Sequence, residues 1–72
     1  MNGCVTMKAR VLQVCPCYLI VCDVCSDQTV RVNTEEACCY HVGECICIHY
    51  SGAMTMSIPP QITAEKICRV NH

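Results

Sequence analysis

Val5-Thr6-Met7-Lys8-Ala9-Arg10-Val11-Leu12-Gln13-Val14 decides the fold class. Val5, Met7, Ala9 and Val11 alternate with Thr6, Lys8 and Arg10, the period of a strand with one face buried and the other in water. Working outward, Cys15-Pro16-Cys17 interrupts the pattern, because Pro16 has no N–H to give a ladder. Tyr18-Leu19-Ile20-Val21-Cys22 then reads as a second, more buried strand. The polar stretch from Asp23 to Gln28 has hairpin length, and Thr29-Val30-Arg31-Val32-Asn33 alternates again as a third strand with Val30 and Val32 inward.

Asn33-Thr34-Glu35-Glu36-Ala37-Cys38-Cys39 places an amide cap before carboxylates in a first turn, so one helical turn is expected here. Val42-Gly43-Glu44 turns the chain into a fourth strand, in which Ile46, Ile48 and Tyr50 alternate with Cys45, Cys47 and His49. The segment from Ala53 to Gln61 holds Met54, Met56 and the pair Pro59-Pro60, and reads as a long, semi-rigid loop with Ile58 extended. A fifth strand is expected over residues 62–70, with a phase change at Glu65-Lys66 that marks a bulge. Five short strands with one helical turn between the third and fourth match a small all-β, five-stranded Greek-key barrel of the OB type. Closing such a barrel removes sheet edges, an advantage for a chain without Trp or Phe.

A length of 72 residues sets the scale: residues 1–72 make one domain. Charged residues are scarce and mean hydropathy is +0.33, which excludes a disordered tail. A formal net charge of -1 leaves no basic surplus to draw in a phosphate backbone, so nucleic acid is not expected as a partner. The longest apolar run, residues 14–22, contains Pro16 and falls short of the about 20 residues that a membrane helix needs. Met1-Asn2-Gly3-Cys4-Val5-Thr6-Met7-Lys8 has no basic segment followed by an apolar stretch, so a cytoplasmic protein is expected. There, the ten cysteines are read as free thiols filling small apolar positions, not as a disulfide framework.

Val42-Gly43-Glu44-Cys45-Ile46-Cys47-Ile48-His49-Tyr50-Ser51-Gly52, followed by Ser57-Ile58-Pro59-Pro60-Gln61-Ile62-Thr63-Ala64-Glu65-Lys66-Ile67, resembles the C-terminal half of small bacterial OB-like domains, the YobA-like proteins among them. Their pattern runs Gly-Asp, alternating valines, Tyr-Asp-Gly, then Ser-x-Pro-x-Gln and a closing Ala-x-x-Ile. Glu44, Ser51 and Pro60 depart from it. The resemblance implies the barrel fold and no particular activity.

Cys15-x-Cys17 with Cys22-x-x-Cys25 is the constellation nearest to a zinc site, which wants four thiolates about 2.3 Å from the metal. Cys22 lies on a predicted strand, however, and alternate strand residues stand about 6.5–7 Å apart. Cys22-Asp23-Val24-Cys25 has the form of a redox pair but lacks the following helix that lowers a thiol pKa. Vicinal Cys38-Cys39 fits a strained disulfide or two ordinary thiols. Cys45, Cys47 and His49 share the outward face of the fourth strand; with Met54 and Met56 nearby, they would suit Cu(I). Met54 and Met56 otherwise cover a barrel end. Tyr18, Tyr40 and Tyr50 are thin material for stacking bases, and Tyr40 and Tyr50 read as core or barrel-end residues. There is no phosphate loop and no Ser-His-Asp set, and His41, His49 and His72 are single histidines.

The sequence therefore predicts a non-enzymatic binding or interaction module without a cofactor. Its unknown protein or small-molecule partner would meet the second and third strands and the loops at residues 15–17 and 53–60. The alternative is a zinc- or copper-binding protein using Cys15, Cys17, Cys22 and Cys25, or the outward row Cys45, Cys47 and His49. The marginal stability of so small a core leaves room for a homodimer.

Overall fold

The computed structural model describes residues 5–70; expectations for the first four residues and for His72 lie outside them. It is all-β. The strands are β1 (Val5–Val14), β2 (Tyr18–Asp23), β3 (Thr29–Asn33), β4 (Cys45–Tyr50), β5 (Gln61–Thr63) and β6 (Lys66–Arg69). They form one sheet in the order β5-β3-β2-β1-β4-β6, curled into a half-barrel.

β1 is long enough to serve two neighbours. Val5 to Arg10 pair with β4, and Ala9 to Val14 pair with β2. The register with β2 slips between Val11 and Gln13, a bulge at Leu12 that bends the strand and tightens its twist. The expected break at Pro16 is a turn in which Cys15 donates its N–H to Tyr18 (3.0 Å). The hairpin after β2 places Asp27 at φ 62, a left-handed conformation that Asp tolerates better than most residues.

The expected helical turn is a short 3-10 turn over Ala37–Cys39. Its predicted cap needs correction. Asn33 ends β3 and gives its side-chain amide to Gln61 (3.4 Å), while Thr34 Oγ1 accepts the Glu36 N–H (3.1 Å). The carboxylates of Glu35 and Glu36 thus precede the turn instead of lying in it.

The closed five-stranded barrel also needs correction. The predicted fifth strand is two strands on opposite edges of the sheet, β5 parallel to β3 and β6 antiparallel to β4. Between them stand only Ala64 and Glu65. The Ala64 N–H donates to Asn33 (3.0 Å) on one edge, and the Glu65 N–H donates to His49 (2.7 Å) on the other. Each half pairs with a single neighbour, so the ladder does not run round, and two successive peptide groups span the gap.

The interior is aliphatic: Val11, Leu19, Val21, Val30, Val32, Ile46, Ile48 and Ile62 are buried, with Met7, Ala9, Ala37, Tyr40 and Tyr50 completing the cluster. Tyr40 and Tyr50 take the places expected of them. The thiols do not: every described cysteine is half-buried or exposed, and none joins this cluster. The reading of cysteines as core fillers is overturned, because strand alternation assigns the inward positions to Val, Ile and Leu and turns Cys22, Cys45 and Cys47 outward. The two methionines divide, Met54 packing on the core and Met56 standing in solvent.

Glu44, just before β4, accepts the His41 N–H (3.0 Å) and the Arg69 Nε–H (2.5 Å). The His41 amide, and after it Arg69, hold its carboxyl below the usual value. A depressed carboxyl stabilises the fold above its unfolded pKa of about 4.3 and ceases to do so as pH falls through the folded value. In thermal unfolding, Glu44→Gln should therefore have a lower Tm than the parent near neutrality, with the gap closing in acid. A gap constant with pH would show that the charge plays no part.

Candidate functional site

The strands point one set of side chains inward, so the other set builds a continuous outer face. Lys8 and Arg10 on β1, Arg31 on β3 and Lys66 on β6 stand on it, four of the five basic residues. None of the six carboxylates stands at an outward strand position: Asp23 closes β2, and Asp27, Glu35, Glu36, Glu44 and Glu65 occupy turns and connections, Asp27 reaching the face only at Cys22. A chain with near-zero net charge thus has a locally basic sheet face, which composition does not reveal.

On the β2–β3 part of this face, the Arg31 guanidinium covers the Tyr18 ring, 3.8 Å from its centroid. Arg31 Nε donates to Asn33 Oδ1 (3.1 Å), and Asn33 in turn reaches Gln61. Cys15 raises the Tyr18 phenol above its ordinary pKa, with Arg31 pulling the other way. The first connection and the outer β2–β3 face therefore adjoin.

The second expected element, the loop after β4, is braced by its own polar groups. Thr55 donates its N–H to Gln61 (3.0 Å), and Gln61 returns its N–H to Thr55 Oγ1 (3.0 Å). The hydroxyls of Thr55 and Ser57 lie 2.6 Å apart, and Ser57 donates to Pro59 (3.0 Å). This frame presents Met56 and Ile58 at 98% and 99% exposure. Between the loop and the start of β3 is an open, largely apolar cleft of about 620 Å³ lined by Gln28, Thr29 and residues 54–60. A second cleft of about 420 Å³, beside the Ala64-Glu65 span, is rimmed by Glu35, Glu36 and Glu65.

The structure does not bring the four candidate zinc ligands together. Cys15 and Cys17 precede β2, whereas Cys22 and Cys25 lie at its far end; the five residues from Cys17 to Cys22 cover about 16 Å at strand rise. The thiol of Cys22 instead donates to Asp27 Oδ1 (3.4 Å), and that carboxylate raises its pKa. Cys38 turns back to the Pro16 carbonyl (3.9 Å). Among the described residues, no group of three or more His, Cys, Asp or Glu side chains is gathered to hold a metal ion. The outward row Cys45, Cys47 and His49 lies on β4 as expected. What the sequence reading missed is Cys68, paired directly with Cys47; the expected bulge at Glu65-Lys66 was the one signal that the chain changes neighbours there.

Comparison with protein-family models, with curated proteins and with solved structures finds no match to this chain. Among the described residues, no helix is long and apolar enough to cross a membrane.

Proposed function

We propose that this chain is a non-enzymatic interaction module that meets a protein partner through the loop at residues 51–60 and the adjoining outer face of β2 and β3. The carrying observation is the braced loop. Two large apolar side chains, Met56 and Ile58, stand almost wholly in water on a frame fixed by hydrogen bonds, so docking them costs little ordering entropy. Arg31, Tyr18 and the amides of Asn33 and Gln61 supply a polar border, which fits the common pattern of an apolar anchor with a polar rim. The partner surface best matched is apolar at its centre and acidic at its edge. A nucleic acid fits less well, because Arg31 already occupies one face of the Tyr18 ring and leaves less of it for a base.

Connectivity supports an OB-like reading of the sheet: β1 is shared by β2 and β4, β3 runs parallel to β5, and β4 runs antiparallel to β6. Such folds commonly bind on the second and third strands and neighbouring loops. The nine described cysteines are free, which suits a reducing compartment such as the cytoplasm.

The test is a photo-crosslinking amino acid placed at Met56, compared with one at Leu12, an exposed side chain on β1. In the host cell, position 56 should give one or a few discrete adducts that vanish with Ile58→Glu, and position 12 should give none. An adduct to a second copy of this chain makes the partner a homodimer. Equal labelling at both positions, or none at 56, would sink the proposal.

A further inference from the structure

On the opposite part of the sheet, Cys47 of β4 and Cys68 of β6 are direct partners. We infer that this pair is a two-coordinate site for a soft monovalent cation, Cu(I), independent of the loop described above.

The argument rests on ladder geometry. Val70 donates its N–H to Cys45 (3.1 Å), which makes those two a hydrogen-bonded pair. Pairs alternate along an antiparallel ladder, so Cys47 and Cys68, one step of two residues further on, are hydrogen-bonded as well, with Cα atoms about 5.5 Å apart. Their side chains share the outer face, and the Cβ atoms stand near the wide end of the range of about 4.5–5.5 Å. A disulfide wants about 3.8 Å between Cβ atoms, so direct bonding would require the strands to pinch. Two sulfurs held in line by one metal stand farther apart than the about 2.05 Å of a disulfide, so the wide pairing suits a bridge through an ion.

Coordination number then selects the ion. Among the described residues, no third His, Cys, Asp or Glu side chain is gathered beside this pair, so the four-ligand shell of zinc is not assembled there. Cu(I) prefers thiolates and accepts two of them in line. Two thiols lose their protons as two Cu–S bonds form, the copper stays monovalent, and the resulting centre carries one negative charge. Lys8 offsets it. It pairs with Cys47 from the other side, and the bonds between Val11 and residues 43 and 44 fix that pairing as the non-hydrogen-bonded kind, in which side chains come closest. Lys66 stands two residues before Cys68 on the same face. The carboxylate of Asp27 reaches this outer face at Cys22, on the β2 side of the sheet.

The experiment is an anaerobic titration of the full, reduced chain with Cu(I) against a coloured Cu(I) chelator. Wild type should take a first equivalent that Cys47→Ser or Cys68→Ser weakens by about 100-fold or more, given that losing even an outer-shell partner costs about 10–100-fold. Cys38→Ser, also a surface thiol, should leave it unchanged. Uptake should tighten with rising pH as protons are released, and excess Zn(II) should not displace the copper. X-ray absorption should count two sulfur neighbours. Thermal unfolding of each variant confirms that it is folded. Unchanged first-equivalent affinity in Cys47→Ser and Cys68→Ser, loss in Cys38→Ser, displacement by zinc, or three or more sulfur neighbours would each overturn the inference.

Discussion

Ile48→Ala should lower the free energy of unfolding by about 2–5 kcal/mol, a large share of the about 5–15 kcal/mol that holds a typical domain together. Cys47→Ala, one residue away, should change it by no more than about 0.5 kcal/mol. The contrast follows from the pleat. Ile48 is wholly enclosed, with Met7 facing it on β1 and Ile67 on β6, so truncation leaves a cavity lined by side chains that cannot all close in. Cys47 points the other way, beside Lys8 and Cys68, where water replaces whatever is removed. Denaturant unfolding with an unchanged m-value measures both. Comparable losses at the two positions would show that the sulfurs belong to the cohesive interior after all.

The second large effect is expected at the two-residue span. Glu65→Pro deletes the N–H that holds the His49 carbonyl and drives Ala64 toward extended geometry. The cost should be about 1–3 kcal/mol, the usual range for a stranded partner, whereas Glu65→Ala should behave as the parent. Hydrogen exchange gives the sharper readout. Because Ala64 is tied to Asn33 and Glu65 to His49, amides in β5 and β6 should lose protection together, although the strands belong to opposite margins of the sheet. Loss confined to β6 would mean that the margins are held independently.

Much of this architecture was legible in the residues. Period-two alternation located β1, β3 and β4 and named their inward side chains, and Pro16 placed the first break. The outward row on β4 followed from the same parity. What failed were inferences about partners across space. Residues 62–70 carry enough β-forming side chains for one strand, and only the alternative pairings offered by β3 and β4 divide it; the phase change at Glu65-Lys66 registers the event but not its destination. The cysteines were misplaced for a related reason. Composition treats a thiol as a small hydrophobe, yet parity had already given the interior to Ile46 and Ile48 and left Cys45 and Cys47 on the wet side. The juxtaposition of Cys47 with Cys68 depends on a register that no local pattern encodes. Net charge was similarly uninformative, since the sum of five and six hides their separation onto strands and turns.

The peptide groups of Ala64 and Glu65 also bear on how the molecule is made. β1, β2 and β4 leave the ribosome before the residues that fasten either margin, so the growing chain passes through a stage with two unprotected borders, each able to accept a stray strand. Both borders are covered by one short stretch near the end of the described chain. Neither border is covered until residues 61–69 have been made, and a chain halted before Gln61 would keep both β3 and β4 open to a stray strand.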